Sequence, residues 1–279
     1  MQTIYAVLYW STPAVIALAA IEAAVLWTIR RRYDWRAGLA SLADLLVRQY
    51  IVYVYLAFGP VDLVIGWIYQ HRIATVPLGT TASIAALFVG QEFCYYWFHR
   101  CSHRLRLLWA NHAVHHSTNQ LNLSAAFRLG WTGRLIGVSA FFLPLIWLGF
   151  APRAVFVTLN LNLLYQFLIH ADWIPKLGPL EWMLNTPSHH RVHHAANPEY
   201  RDKNYGGVLI VFDRLFGTFI AENDAVACRY GLVEPLHSNN PVWIAFHGFA
   251  ALGRDLWRAR GWRERASAFI ALPQAATAE

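Results

Sequence analysis

The sequence predicts an all-α fold: a polytopic membrane protein of about four to five transmembrane or hairpin helices, topped by a cytoplasmic histidine-rich cap. Three observations carry this. Of 279 residues 57% are hydrophobic and only 14% charged, more apolar surface than one soluble core needs, and the apolar residues come in long runs. Arginines gather just beyond those runs. Histidines cluster where runs end: HRCSH at 99–103, HAVHH at 112–116 and SHHRVHH at 188–194 hold nine of the thirteen, and His170 closes another run.

Ile4 to Thr28 is a 25-residue apolar run whose one acidic residue is Glu22, long enough to cross a bilayer. It lacks a small-residue cleavage site and reads as a retained anchor. Arg30, Arg31, Arg32 and Arg36 follow at once, which puts this loop in the cytoplasm and the N-terminus outside. Leu45 to Gln70 is a second span, bent at Gly59-Pro60, and Ile73 to Phe98 a third, kinkable at Pro77. Residues 135–150 and 154–169 are shorter apolar runs that read as a helical hairpin. By this topology all the histidine groups reach the cytoplasmic face. The stretch 171–240 is less hydrophobic and reads as the cap, 241–252 as a re-entrant or interfacial segment, 254–265 as a basic helix on anionic lipid, and 266–279 as a frayed tail. The chain thus divides into an N-terminal transmembrane region (1–72), a histidine-cluster region (73–240) and an interfacial end (241–279).

A helix turns about 100° per residue, so His99 and His103 share a face, as do His112, His115 and His116, and again His190, His193 and His194. Thirteen residues separate His99 from His112, which places them nearly opposite on one straight helix. A break is therefore expected between Arg104 and Asn111, with Asn111 or a neighbour capping the next helix. Tyr95, Tyr96, Trp97 and Phe98 read as an interfacial aromatic belt. His71, His237 and His247 read as structural or interfacial.

One i, i+4 histidine pair is ordinarily a surface or core feature, whereas three clusters in order read as a metal site. Ten imidazoles exceed what one metal can use, so two metals are implied. Imidazole suits zinc, copper, iron and nickel alike. No HExxH is present, and the lone Glu-x-x-His match, Glu234 with His237, is broken by Pro235. Cys94, Cys101 and Cys228 form no CxxC pair. The net charge of +7 is explained by arginines flanking spans, and no nucleic-acid motif occurs, so nucleic acid is not an expected partner.

These clusters, with NPEYRDKNYGG at 197–207 and FDRLFGTF at 212–219, resemble the fatty acid hydroxylase and sterol desaturase superfamily, most of all its bacterial sterol-desaturase-like and alkylglycerol monooxygenase-like branch. The resemblance implies a bacterial inner-membrane enzyme with two iron ions that uses O2 to hydroxylate or desaturate a membrane lipid of sterol, fatty acyl or alkyl glycerol type. It implies as ligands His99, His103, His112, His115, His116, His190, His193 and His194, with His170 and His189 as additions. Glu92, Asp172, Asn197, Asp202 and Asn204 are close enough in sequence to orient imidazoles from behind, though Glu92 reads equally as a snorkelling or helix-satisfying group. There is no GxGxxG, four-cysteine or CxxCH motif, so electrons are expected from an external donor, cytochrome b5-like, ferredoxin-like or pterin. Two other readings stay open: a histidine-rich metal transporter, or a catalytically inactive lipid-binding relative.

Overall fold

Among the described residues, eleven α-helices, three-residue-per-turn segments and loops build the chain, and no strand occurs. The computed structural model describes residues 2–30, 32–58 and 61–270, with the backbone alone at 2–10, 30, 52–58 and 61. Helix α1 (Gln2–Val25) ends in one wider turn, Leu26–Arg30. Its stretch Ser11–Ile29 is, among the described residues, the one helix long and apolar enough to cross a membrane. Leu18, Ile21, Val25 and Ile29 lie exposed along it, whereas Glu22 is buried, accepting from Leu123 N and from the Trp173 indole, both at 2.7 Å. The acid in this apolar helix thus faces protein, where its oxygens meet donors.

Helix α2 (Trp35–Phe58) starts where Asp34 accepts from the backbone N–H of Arg36 and Ala37. Helix α3 (Val61–Gln70) comes next, and the Gly59-Pro60 bend falls outside the described residues. The helix read from sequence as a third span does not begin at Ile73. Residues 73–79 run along residues 147–149 through Ile73 N to Trp147 O and Val76 N to Gly149 O, leaving Pro77 outside any helix. Helix α4 (Thr81–Arg104) begins only where Thr80 and Ser83 form a capping box.

The break between the first two histidine clusters falls at Leu105, in extended backbone, and α5 (Arg106–His116) starts there. Asn111 does not cap it. It sits inside α5, where its amide donates to Leu129 O and accepts from Thr132 N and Oγ1, tying down the next loop. The expected hairpin is shorter than its first apolar run, because residues 138–142 form a 3-10 segment leading into the six-residue α6 (Leu143–Leu148). Helix α7 (Pro152–Ile169) opens on proline at its first position, where no N–H is needed. Helix α8 (Pro187–His194) carries the third cluster, and α9 (Val211–Leu215) is a single turn.

At the C-terminal end, helix α10 runs from Pro241 to Arg258 and includes Arg254, longer than the apolar segment read from sequence. It crosses α5 so closely that a Cβ on Gly248 would lie 2.7 Å from Ala110 Cα. Helix α11 (Trp262–Ile270) includes Ala266, so the expected tail is helical at its start, and 271–279 lie outside the described residues. The main core packs α4 (Leu87, Cys94, Tyr95), α6 (Leu145, Ile146) and α7 (Val155) together, which fixes the ends of α4 and α7 from which His99, His103 and His170 project. Tyr95 and Tyr96 are part of this interior and not of an interfacial belt: Tyr95 donates to Gln166, and Tyr96 stacks on Phe216 at 5.2 Å.

Candidate metal centre

The helix ends bring nine histidines into two groups. His99, His103, His112, His116 and His193 form one, and His115, His170, His190 and His194 the other, with the donor nitrogens of each group all within 4.8 Å of one another. His99 with His103, His112 with His116 and His190 with His194, each at i, i+4, stay together on α4, α5 and α8. The residue one step earlier points about 100° round the helix and joins the opposite group: His115 beside His116, and His193 beside His194. Helices α5 and α8 therefore each serve both groups, which the grouping of His112, His115 and His116 on one face did not anticipate.

Four imidazoles are oriented by backbone carbonyls. Tyr205 O accepts from His99 Nδ1 at 2.8 Å, Lys203 O from His193 Nδ1 at 2.9 Å, Arg128 O from His115 Nδ1 at 2.9 Å and Gln166 O from His170 Nδ1 at 2.7 Å. A carbonyl only accepts, so each Nδ1 carries the proton and each Nε2 presents a lone pair. His115 Nε2 and His170 Nε2, both fixed in this form, face each other at 3.3 Å. Two lone pairs at that distance repel unless a cation lies between them. The buried Nε2 atoms of His103, His116 and His193 have no hydrogen-bond partner. An all-nitrogen donor set with outer nitrogens tied to carbonyls is the arrangement of metal-binding histidine, and it suits iron among other transition metals.

Burial, reinforced by neighbouring imidazoles, holds His99, His112, His115, His116, His190, His193 and His194 well below the ordinary imidazole range, and burial brings His170 down to about 4. His103 is lowered by burial and partly restored by Asp202. Between these depressed values and 6.5 the unfolded chain binds more protons than the folded one. Metal-free protein should therefore lose stability as pH falls below 6.5, His170 alone contributing about 3 kcal/mol of the loss. Thermal melts of chelator-treated protein across that window check this, and a flat profile would contradict it.

His189 is brought to neither group; its Nε2 lies 3.8 Å from a Glu181 carboxylate oxygen. Of the five residues expected behind the imidazoles, Asp202 alone faces one among their described contacts, 3.7 Å from His103 Nδ1 and 3.7 Å from Arg104. Glu92 instead accepts from Val208 N and Leu209 N, each at 2.8 Å, and from the Asn162 amide. Asn197 bridges Ala227 O and Arg229 N, and Asn204, at φ 56°, bridges His189 O to Ile220. Asp172 is engaged through its carbonyl, which accepts from Arg191. Glu92 and Asn204 thereby brace the stretch that carries the orienting carbonyls of Lys203 and Tyr205. Asp213, not singled out from sequence, does the same: its carboxylate accepts from Tyr205 N, Gly206 N and Thr218 Oγ1. The FDRLFGTF segment was its signal.

A cavity of ≈ 220 Å³ reaches both groups, lined by His103, His116, His193 and His194, with small walls at Ala110, Ala113 and Ala251. Residues 84–218 match the fatty acid hydroxylase family. The chain is 36% identical to the alkylglycerol monooxygenase of Homo sapiens over 94% of its own length and 58% of that protein. It is 47% identical to that of Danio rerio over 62% of its length and 38% of the relative, and 34% identical to the ornithine lipid hydroxylase OlsE of Rhizobium tropici over 46% and 39%. The chain thus spans about half or less of the length of these curated relatives. No solved structure matches it. The matched segment 84–218, which carries all three ordered histidine clusters, belongs to the fatty acid hydroxylase family.

Proposed function

We propose that the protein is a membrane-bound di-iron oxygenase that uses O2 and an external electron donor to hydroxylate a C–H bond of a lipid. The observation that carries this is the pair of facing Nε2 lone pairs on His115 and His170, inside two buried histidine groups of five and four. Such a pair is stable with a cation between its members. Bound iron would supply the activation of O2. The chain's own groups do the rest: carbonyls of Arg128, Gln166, Lys203 and Tyr205 fix the imidazoles, and the cavity beside His103, His116, His193 and His194 admits the reacting part of the substrate.

Similarity to alkylglycerol monooxygenases favours an ether or acyl glycerolipid as substrate. The donor is of the cytochrome b5, ferredoxin or pterin kind. Span α1 and the arginines after it favour an integral membrane protein with its histidine groups on the cytoplasmic side.

The test is metal analysis of detergent-purified protein from iron-replete cells, followed by O2 uptake with alkylglycerol, fatty acyl and sterol lipids against each donor class. About two irons per chain and uptake that requires both a lipid and a donor are expected. Protein that binds no metal under anaerobic handling would overturn the proposal.

A further inference from the structure

The sequence reads residues 171–240 as a cap standing in water, yet one edge of it is strongly apolar. Leu180 is 54% exposed, Trp182 71%, Met183 63% and Leu215 69%. Leu184 pairs with Leu209 and Ile210 N donates to Met183 O, so the 177–183 segment and α9 form one edge. At one end this edge joins span α1, where the exposed Trp173 donates to buried Glu22. At the other it joins the outer face of α4, where Phe212 packs on the exposed Phe93 at 5.7 Å.

Depth can be read from the helix. Glu22 lies seven residues before Ile29, the last residue of the apolar span, which is about 10 Å along the axis. If Ile29 stands at the bilayer boundary, Trp173 stands below it, and the edge continues from there. Arg214 lies with its guanidinium 5.0 Å from the Trp182 ring and 3.8 Å from that of Phe219, and it donates to Glu181 O. A cation beside tryptophan above an apolar edge is an arrangement of membrane interfaces.

We infer that residues 177–183 with α9 form a rim of the histidine cap that is embedded in the bilayer, its occupant being lipid at the headgroup and upper acyl level. The inference rests on the membrane reading of the proposed function. It brings the four-histidine group, through His190 in the helix directly after this segment, close to the lipid from which a substrate would come.

The test places an environment-sensitive fluorophore at Leu180→Cys in protein reconstituted into phosphatidylcholine–phosphatidylglycerol vesicles, with doxyl-labelled lipid as quencher. Ile21→Cys serves as the span reference and Glu199→Cys as the aqueous one. Labelling of Cys94, Cys101 and Cys228 in the parent chain is subtracted, and each variant must retain the parent's metal content. Blue-shifted emission and quenching at position 180 matching position 21, with neither at 199, is the expected result. Quenching at 21 but not at 180 overturns the rim and leaves the membrane reading intact. No quenching at either removes the membrane reading and the rim with it. Shielding at 180 that persists in detergent and accompanies a dimer would give the edge to a second copy and overturn the inference.

Discussion

Alanine at both His170 and His190 is expected to remove one metal and leave the other. These two residues belong to the four-histidine group, and no member of the five-histidine group depends on their rings for a hydrogen bond. Metal content should fall from about two to about one per chain, and O2-dependent turnover by more than about 100-fold, since removing groups merely behind a metal ligand already costs 10–100-fold. The mirror variant, alanine at His99 and His112, should remove the other metal. Mass spectrometry of metal content with a cobalt(II) absorption spectrum separates the cases. Loss of both metals from either double variant would show the groups to be a single site, and retention of both would remove the ligand assignment.

Glu92→Ala should be the most destabilising single change away from the histidines. The carboxylate is 1% exposed and serves as the acceptor for two backbone N–H groups and the Asn162 amide. Its removal leaves the buried Asn162 amide and two part-buried backbone donors unpaired, a cost of about 3–5 kcal/mol. For a chain of this size the melting temperature should drop by about 10 °C or more. Glu92→Gln keeps one acceptor oxygen and should lose roughly half as much. The damage should also reach the metal, because Val208 and Leu209 continue the stretch of chain whose Tyr205 carbonyl holds His99. Unchanged melting of Glu92→Ala would mean the loop is held elsewhere.

The three histidine clusters are legible because i, i+4 spacing is written in the sequence, and the break before Asn111 comes from thirteen residues of helical rotation. The division into five and four is not legible. His115 and His116 differ by one position, and which side each faces depends on how α5 and α8 pack. The orienting carbonyls of Arg128, Gln166, Lys203 and Tyr205 leave no mark in residue type, whereas acidic and amide side chains near the clusters stand out without doing the orienting. Asp202 alone of those five faces an imidazole among the described contacts, whereas Glu92, Asn197 and Asn204 are occupied in bracing loops. The start of α4 is hidden because apolar residues continue through Ile73–Leu78, while the Thr80 cap and the pairing with residues 147–149 decide where the helix begins.

The same carbonyls set an order of assembly. His99 is oriented by a residue 106 positions further along the chain, and His193 by one ten positions beyond it. A ribosome that has delivered α4 and α5 has made most of one ligand group but none of what aims His99. Metal capture in the mature geometry must therefore wait until residue 205 has emerged and folded back, which makes metal loading a late event in the protein's synthesis. A chain cut short before residue 203 would carry histidines in plenty and still lack the carbonyls that aim His99 and His193.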